Sequence, residues 1–339
     1  MKKVALCLSY HLNNKLFDMK DINTNRDNCN YPMFLLKDSL AKESIDLSTY
    51  DINHADNSDF SFYFDYSKPL GFAKKNYLFL FESDVIAPNG WKLDVQKKFD
   101  KIFTWKDSLV DNKKFFKINY THLFPSEAEL VEKYIPFYEK KLCTLISGNK
   151  IASHPNELYS KRVDIIKWFE KKHLSEFEFY GVGWDRPISQ NKYINYIFSK
   201  KTIVNRFFYK FKSYKGSVES KKETLKNYKF TICFENAQNI EGYITEKIFD
   251  CFFAGSIPIY WGAPNITEHI PKECFIDFRD FNDYSELYDF IKNMDENTYN
   301  IYIESAREFL LSSKSNQFKA KALSDTIIKH VIEDIRDEK

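Results

Sequence analysis

Glu246 and Lys247 stand side by side behind a threonine and ahead of an apolar helical pattern, within the segment YKFTICFENAQNIEGYITEKIFDCFFAGSIPIYWGAPNITEHIPKECFID at residues 228–277. Residues 228–235 read as a strand and 236–243 as a polar loop, with Thr245 as the N-cap of a helix. Ile244, Ile248, Cys251 and Phe252 share one face of that helix, and Gly255 suits its stop before a strand at 256–261. The first turn of a helix presents N–H groups without intrahelical partners, so a lysine there suits a diphosphate. Glu246 on the same turn repels phosphate and suits the hydroxyls of a sugar or ribose. Tyr243 can stack on a ligand or donate a hydrogen bond to it. On spacing alone, an exposed and well-capped helix start explains these residues equally well.

The elements around this segment form a βαβ unit whose loop and helix N-terminus stand at the carboxyl end of a strand, where open α/β sheets bind ligands. The first part of the chain alternates strand-like runs at 4–10, 60–64, 77–82 and 101–105 with amphipathic stretches at 32–42 and 91–100. Such alternation implies parallel α/β layers. A charged helical stretch at 128–141 marks a domain boundary. Beyond it a second α/β series runs through 142–147, a helix at 156–172, and strands at 177–181, 228–235 and 256–261. Seven of the nine glycines lie between Gly148 and Gly262, which puts ligand contact in this second half. Residues 299–339 read as helical, suited to packing back over the domains. The basic, aromatic stretch at 199–222 reads as a solvated loop in preference to a membrane or acceptor contact.

With 339 residues the chain has room for two domains, and 43% hydrophobic against 29% charged residues is a globular balance. A net charge of +2 is far from that of a protein neutralising many phosphates, which argues against nucleic acid as a partner. The 32 Phe and 22 Tyr suit thick cores and sugar-stacking surfaces alike. Six scattered cysteines, without paired spacing or nearby histidines, argue against a zinc site or a disulfide framework. The apolar run near Met1 is too short for a signal peptide or a membrane span and reads as a first strand, so a cytoplasmic protein is expected. Sequons at Asn119 and Asn265 are then chance occurrences.

The whole central string resembles the α1,3/4-fucosyltransferase family. Its Phe-Glu-Asn, Gly-Tyr-Val-Thr-Glu-Lys and Ala-Gly-x-x-Pro-Ile-Tyr-x-Gly elements stand here as 234–236, 242–247 and 254–262, with Ile244 for Val. Residues 153–162 look like the family region whose arginine contacts the donor diphosphate, which carries that role to Arg162. The residues Phe79-Leu80-Phe81-Glu82-Ser83-Asp84 fit the family's general base, which makes Glu82 the candidate and Asp84 its rival.

The resemblance implies two Rossmann-like domains facing across a cleft in the GT-B architecture. Residues 1–140 would serve the acceptor and 141–310 the GDP-sugar, with a C-terminal helix at 311–339 packing on the first domain. It further implies an inverting transfer of L-fucose from GDP-β-L-fucose to an oligosaccharide hydroxyl, α1,3 or α1,4 to GlcNAc or Glc. Arg162, Asn236, Tyr243, Thr245, Glu246 and Lys247 would bind the donor. Arginine and lysine replace a metal in this scheme, so no cofactor is required, although a divalent ion could stimulate. The expected member is bacterial-type and soluble, works on surface-glycan precursors, and is cytoplasmic or peripheral at the inner membrane face. Another GDP-sugar donor and a catalytically silent carbohydrate-binding protein are the alternatives. No feature decides the oligomeric state.

Overall fold

The computed structural model describes residues 1–21, 24–131, 135–186 and 211–337. They divide into two compact units, one of Met1–Phe124, Glu241–Glu246 and Ser313–Lys339, the other of Pro125–Ile240 and Lys247–Ser312. The second sheet begins at residue 141, yet the chain changes unit after Phe124. Residues 125–140 belong with the second unit through side-chain bonds such as Arg307 Nε to the Leu130 carbonyl, 2.8 Å, and Lys140 Nζ to the Gly255 carbonyl, 2.5 Å.

The first unit holds six parallel strands, β1 (Lys2–Cys7), β2 (Ile45–Thr49), β3 (Phe60–Phe64), β4 (Lys75–Leu80), β5 (Lys101–Thr104) and β6 (Phe115–Lys117), in the order β2-β1-β3-β4-β5-β6. A parallel sheet covered on both faces needs runs that are apolar throughout, and β3, FSFYF, has four consecutive buried residues. Its aromatics pack with those of the neighbouring strands: Phe62 stacks on Tyr77 at 5.3 Å and Phe79 on Phe103 at 4.8 Å. Much of the aromatic content therefore serves the core. The helix Ala320–Asp337 adds Leu323, Ile327 and Val331 to this core, beside Leu36 and Leu40 of the helix Tyr31–Lys42. Asp334 fixes it by accepting from Tyr77 Oη and Lys101 Nζ, each at 2.6 Å. Bonds of this charge-assisted kind are among the stronger ones.

The second unit holds five parallel strands, β7 (Lys141–Ile146), β8 (Phe177–Tyr180), β9 (Tyr228–Phe234), β10 (Ile257–Trp261) and β11 (Ile276–Asp277), in the order β11-β10-β9-β7-β8. The helix after β7 is Tyr159–Lys172, three residues shorter at its start than the sequence pattern suggests. Residues 156–158 instead pair with the loop after β9, through Gln238 N to Asn156 O at 2.8 Å and Leu158 N to Asn236 O at 3.1 Å. The helix Glu246–Ala254 ends at Gly255, whose φ of 65° is the left-handed stop that glycine adopts without strain. Residues 199–210 of the basic, aromatic stretch lie outside the described residues. Among the described residues, no helix is long and apolar enough to cross a membrane, and no cluster of three His, Cys, Asp or Glu residues could hold a metal ion.

Candidate active site

At the carboxyl ends of β1, β3 and β4, the first unit has a cavity of about 300 Å³ lined by Tyr10, Asp65, Ser67, Lys68 and Glu82 among others. Glu82 follows β4 by two residues, and Asp65 directly follows β3. Asp65 has a left-handed backbone with φ 46°. Its Oδ1 accepts the backbone N–H groups of Phe81 and Glu82, both at 2.9 Å. The Glu82 carbonyl accepts from Trp91 Nε1 at 3.0 Å, and the Phe81 carbonyl accepts from Trp105 Nε1 at 2.7 Å and from Tyr120 Oη. The backbone carrying Glu82 is thus held on both sides. Asp84 is exposed and does not line this cavity.

The side chain of Glu82 is held as well. Tyr243 Oη donates to Glu82 Oε2 at 2.9 Å. Tyr243 comes from the stretch Glu241–Glu246, which packs with the first unit although its sequence lies between two elements of the second. Gly242 makes that packing possible. With φ 73°, it brings its backbone so close to Trp105 that a Cβ would lie 2.2 Å from the Trp105 carbonyl oxygen. The Tyr243 ring then packs on Trp105 at 4.8 Å and edges Tyr120 at 6.1 Å. Burial, followed by the neighbouring Tyr243 and Glu82, pushes the Tyr120 hydroxyl far up, so it stays a neutral donor.

In the second unit, candidate side chains gather at the carboxyl end of β9. Glu235 is fully buried, and Lys247 Nζ pairs with its Oε2 at 3.1 Å. Gly262 leaves room for this pair, because a Cβ there would meet Glu235 Cγ at 2.5 Å. Arg162, only 4% exposed, donates from Nη2 to the Phe234 carbonyl at 2.6 Å and to Asn236 Oδ1 at 3.0 Å. It therefore ties the helix Tyr159–Lys172 to the loop that carries Asn236.

Arg162, Asn236 and Lys247 thus come together around the end of β9. Glu246 is partly buried at the first turn of its helix, and Thr245 is buried just ahead of it. Tyr243 differs most from expectation. It has no exposed surface, and its hydroxyl is engaged by Glu82, so a stacking surface for a ligand is replaced by a support for a carboxylate. Arg162 likewise spends two donor contacts inside the protein. Asp65 was not expected at all, and Glu235 was read only as part of the Phe-Glu-Asn element, with no role of its own. A sequence signal existed for Asp65: two adjacent parallel strands, β3 and β4, each end in an aromatic run followed closely by a carboxylate.

A family model described as glycosyltransferase family 10 (fucosyltransferase), C-terminal, matches residues 160–333. The matched stretch contains Arg162 and 236–247 but not Glu82. The chain is 45% identical over 76 residues to the alpha-(1,3)-fucosyltransferase FucT of Helicobacter pylori, covering 22% of this chain and 16% of that protein. It is 32% identical over 134 residues to the 4-galactosyl-N-acetylglucosaminide 3-alpha-L-fucosyltransferase 9 of Mus musculus, covering 38% of this chain and 36% of that protein. The matches thus span well under half the length of these curated relatives. A solved α1,3-fucosyltransferase with GDP superposes with a TM-score of 0.62 and 20% identity, over 98% of this chain and 90% of that one. At that identity the likeness is one of fold, and the fold class is α/β of the GT-B type.

Proposed function

Because the chain belongs to glycosyltransferase family 10, the fucosyltransferases, we propose that it moves L-fucose from GDP-β-L-fucose to a hydroxyl of N-acetylglucosamine in a galactosyl-N-acetylglucosamine glycan, with inversion at the anomeric carbon. The observation that carries this reading is the 2.9 Å bond from Tyr243 to Glu82. Through it, a residue of the family's sugar-nucleotide motif holds a carboxylate that lines a ligand-sized cavity.

An acceptor hydroxyl is a weak nucleophile at neutral pH, so a carboxylate must take its proton as the new glycosidic bond forms. Glu82 is that base, and Tyr243 and the N–H groups bound by Asp65 keep it in place. The leaving GDP gains negative charge as its bond to fucose breaks. Lys247 and Arg162 meet that charge, most strongly in the transition state. Lys247 does so while paired to Glu235. Arg162 does so while fixing Asn236, and Glu246 takes hydroxyls of the donor. Displacement from the opposite face gives an α-fucoside, linked 1,3 or 1,4, without a covalent enzyme intermediate. The division of labour belongs to the same proposal: the first unit, with its C-terminal helix, serves the acceptor and the second unit the donor. So does a cytoplasmic place of action on surface-glycan precursors.

The test is to incubate the full chain with GDP-fucose and N-acetyllactosamine and to assign the product by NMR, with GDP-mannose as the donor control. An α-fucosyl group on the N-acetylglucosamine residue is expected. A β-fucoside, or transfer from GDP-mannose in place of GDP-fucose, would contradict the proposal.

A further inference from the structure

Two carboxyl groups line the cavity of the first unit, and the proposed reaction uses only one. Asp65 lies at the end of β3 as Glu82 lies beyond β4, and the register pairing Phe64 with Phe79 brings these strand ends together. Asp65 Oδ1 already accepts two backbone N–H groups, from Phe81 and Glu82. Among the described residues nothing bonds Oδ2, although the carboxyl lines the cavity. Across the same cavity, Tyr10 is 55% exposed and offers an aromatic ring of the kind that packs on the C–H face of a sugar.

Resting on the reading of Glu82 as base, we infer that Asp65 is a second acceptor-binding carboxyl, whose Oδ2 holds the sugar oxygen next to the hydroxyl that Glu82 deprotonates. The ligand it suits is a neutral pyranose with neighbouring oxygens, one for each carboxyl.

The surroundings fix the form in which Asp65 acts. Burial, reinforced by the charge of Glu82 and opposed by the two N–H bonds, pushes its carboxyl up to about 8. With Oδ1 occupied as an acceptor, the proton belongs on Oδ2, where it can be donated to a sugar oxygen. The other groups facing it are Cys7 and Tyr10 from the end of β1, Tyr63 on β3, Lys68 after β3, and Tyr120. Burial pushes Cys7, Tyr63 and Tyr120 upward, so their titration lies away from that of Asp65. Glu82 and Lys68 are the charged neighbours. As pH rises past about 8, Asp65 loses its donated bond and becomes a second negative charge beside Glu82.

The experiment is a titration of N-acetyllactosamine into the full chain saturated with GDP, at pH 7 and pH 9, for the wild type and Asp65→Asn. Asparagine keeps an Oδ1 acceptor for both N–H groups, tolerates the left-handed backbone, and donates from Nδ2 at either pH. Wild-type acceptor affinity should fall about tenfold from pH 7 to pH 9, as one group of pKa near 8 requires. The variant should change less than twofold, with GDP affinity equal to wild type at both pH values. Equal losses in the two proteins, or no loss in the wild type, would overturn the assignment. The readout is binding, so failure of the fucosyl-transfer reading would register separately, as absent product with acceptor binding intact.

Discussion

The carboxyl ends of the two sheets are built alike and carry opposite chemistry. In the first unit, β3 and β4 are followed by carboxyl groups, Asp65 and Glu82; backbone N–H groups bind the first, a tyrosine binds the second, and an indole holds the Glu82 backbone carbonyl. In the second, β9 ends where Arg162 and Lys247 supply positive charge, each fixed by a protein acceptor before any ligand enters. The lesson is one of preorganisation. A base must be held so that it can take a proton, and cations must be held so that they meet developing charge without rearrangement. In the proposed reaction one sheet does the first and the other the second, so defects in the two ends should separate in kinetics.

The largest expected effect comes from Glu82→Gln, which keeps the side-chain shape and removes the base. Acceptor-dependent transfer should fall about 10³-fold, within the range for general-base catalysis, with little change in KM for GDP-fucose. Lys247→Ala should act at the other end, lowering kcat/KM for GDP-fucose about 100-fold and leaving the KM for acceptor nearly unchanged. It also removes the ion pair to the fully buried Glu235 and should destabilise the protein by about 3 kcal/mol, read from urea unfolding. Adding Glu235→Gln should restore the stability but not the rate. The smallest effect is that of Tyr243→Phe, which removes one hydrogen bond to a carboxylate, worth about 1.5 kcal/mol or roughly tenfold in rate. That loss should appear in kcat, because Tyr243 is buried and supports Glu82. A loss confined to the KM for GDP-fucose would return Tyr243 to the donor side and break the comparison.

The sequence was most legible where the information is local. β1, β3, β4, β5 and β7 to β10 stand out as short apolar or aromatic runs, because strands buried on both faces admit little else, whereas β2, β6 and β11 carry no such run and were not read. The helix Glu246–Ala254 was readable from its apolar face and from Gly255. What escaped was set by packing between distant segments. Nothing near Tyr243 in sequence says that Glu241–Glu246 pack with the first unit. That depends on a close approach to the Trp105 carbonyl which only Gly242 permits. Arg162 reads as a surface residue of an amphipathic helix until the loop after β9 covers it. Asp65 looks like an ordinary loop carboxylate until the register of β3 and β4 sets it beside Glu82. The aromatic composition was ambiguous for a similar reason: the same rings suit a core or a sugar, and only the topology shows which ones are enclosed.

The most direct test of the division of labour is a GDP titration of Glu82→Gln on the same preparation that is assayed for transfer. GDP affinity within twofold of wild type, with transfer reduced about 10³-fold, is the result expected if the first unit supplies only the base. A parallel loss of GDP affinity, or transfer surviving within tenfold of wild type, would contradict it.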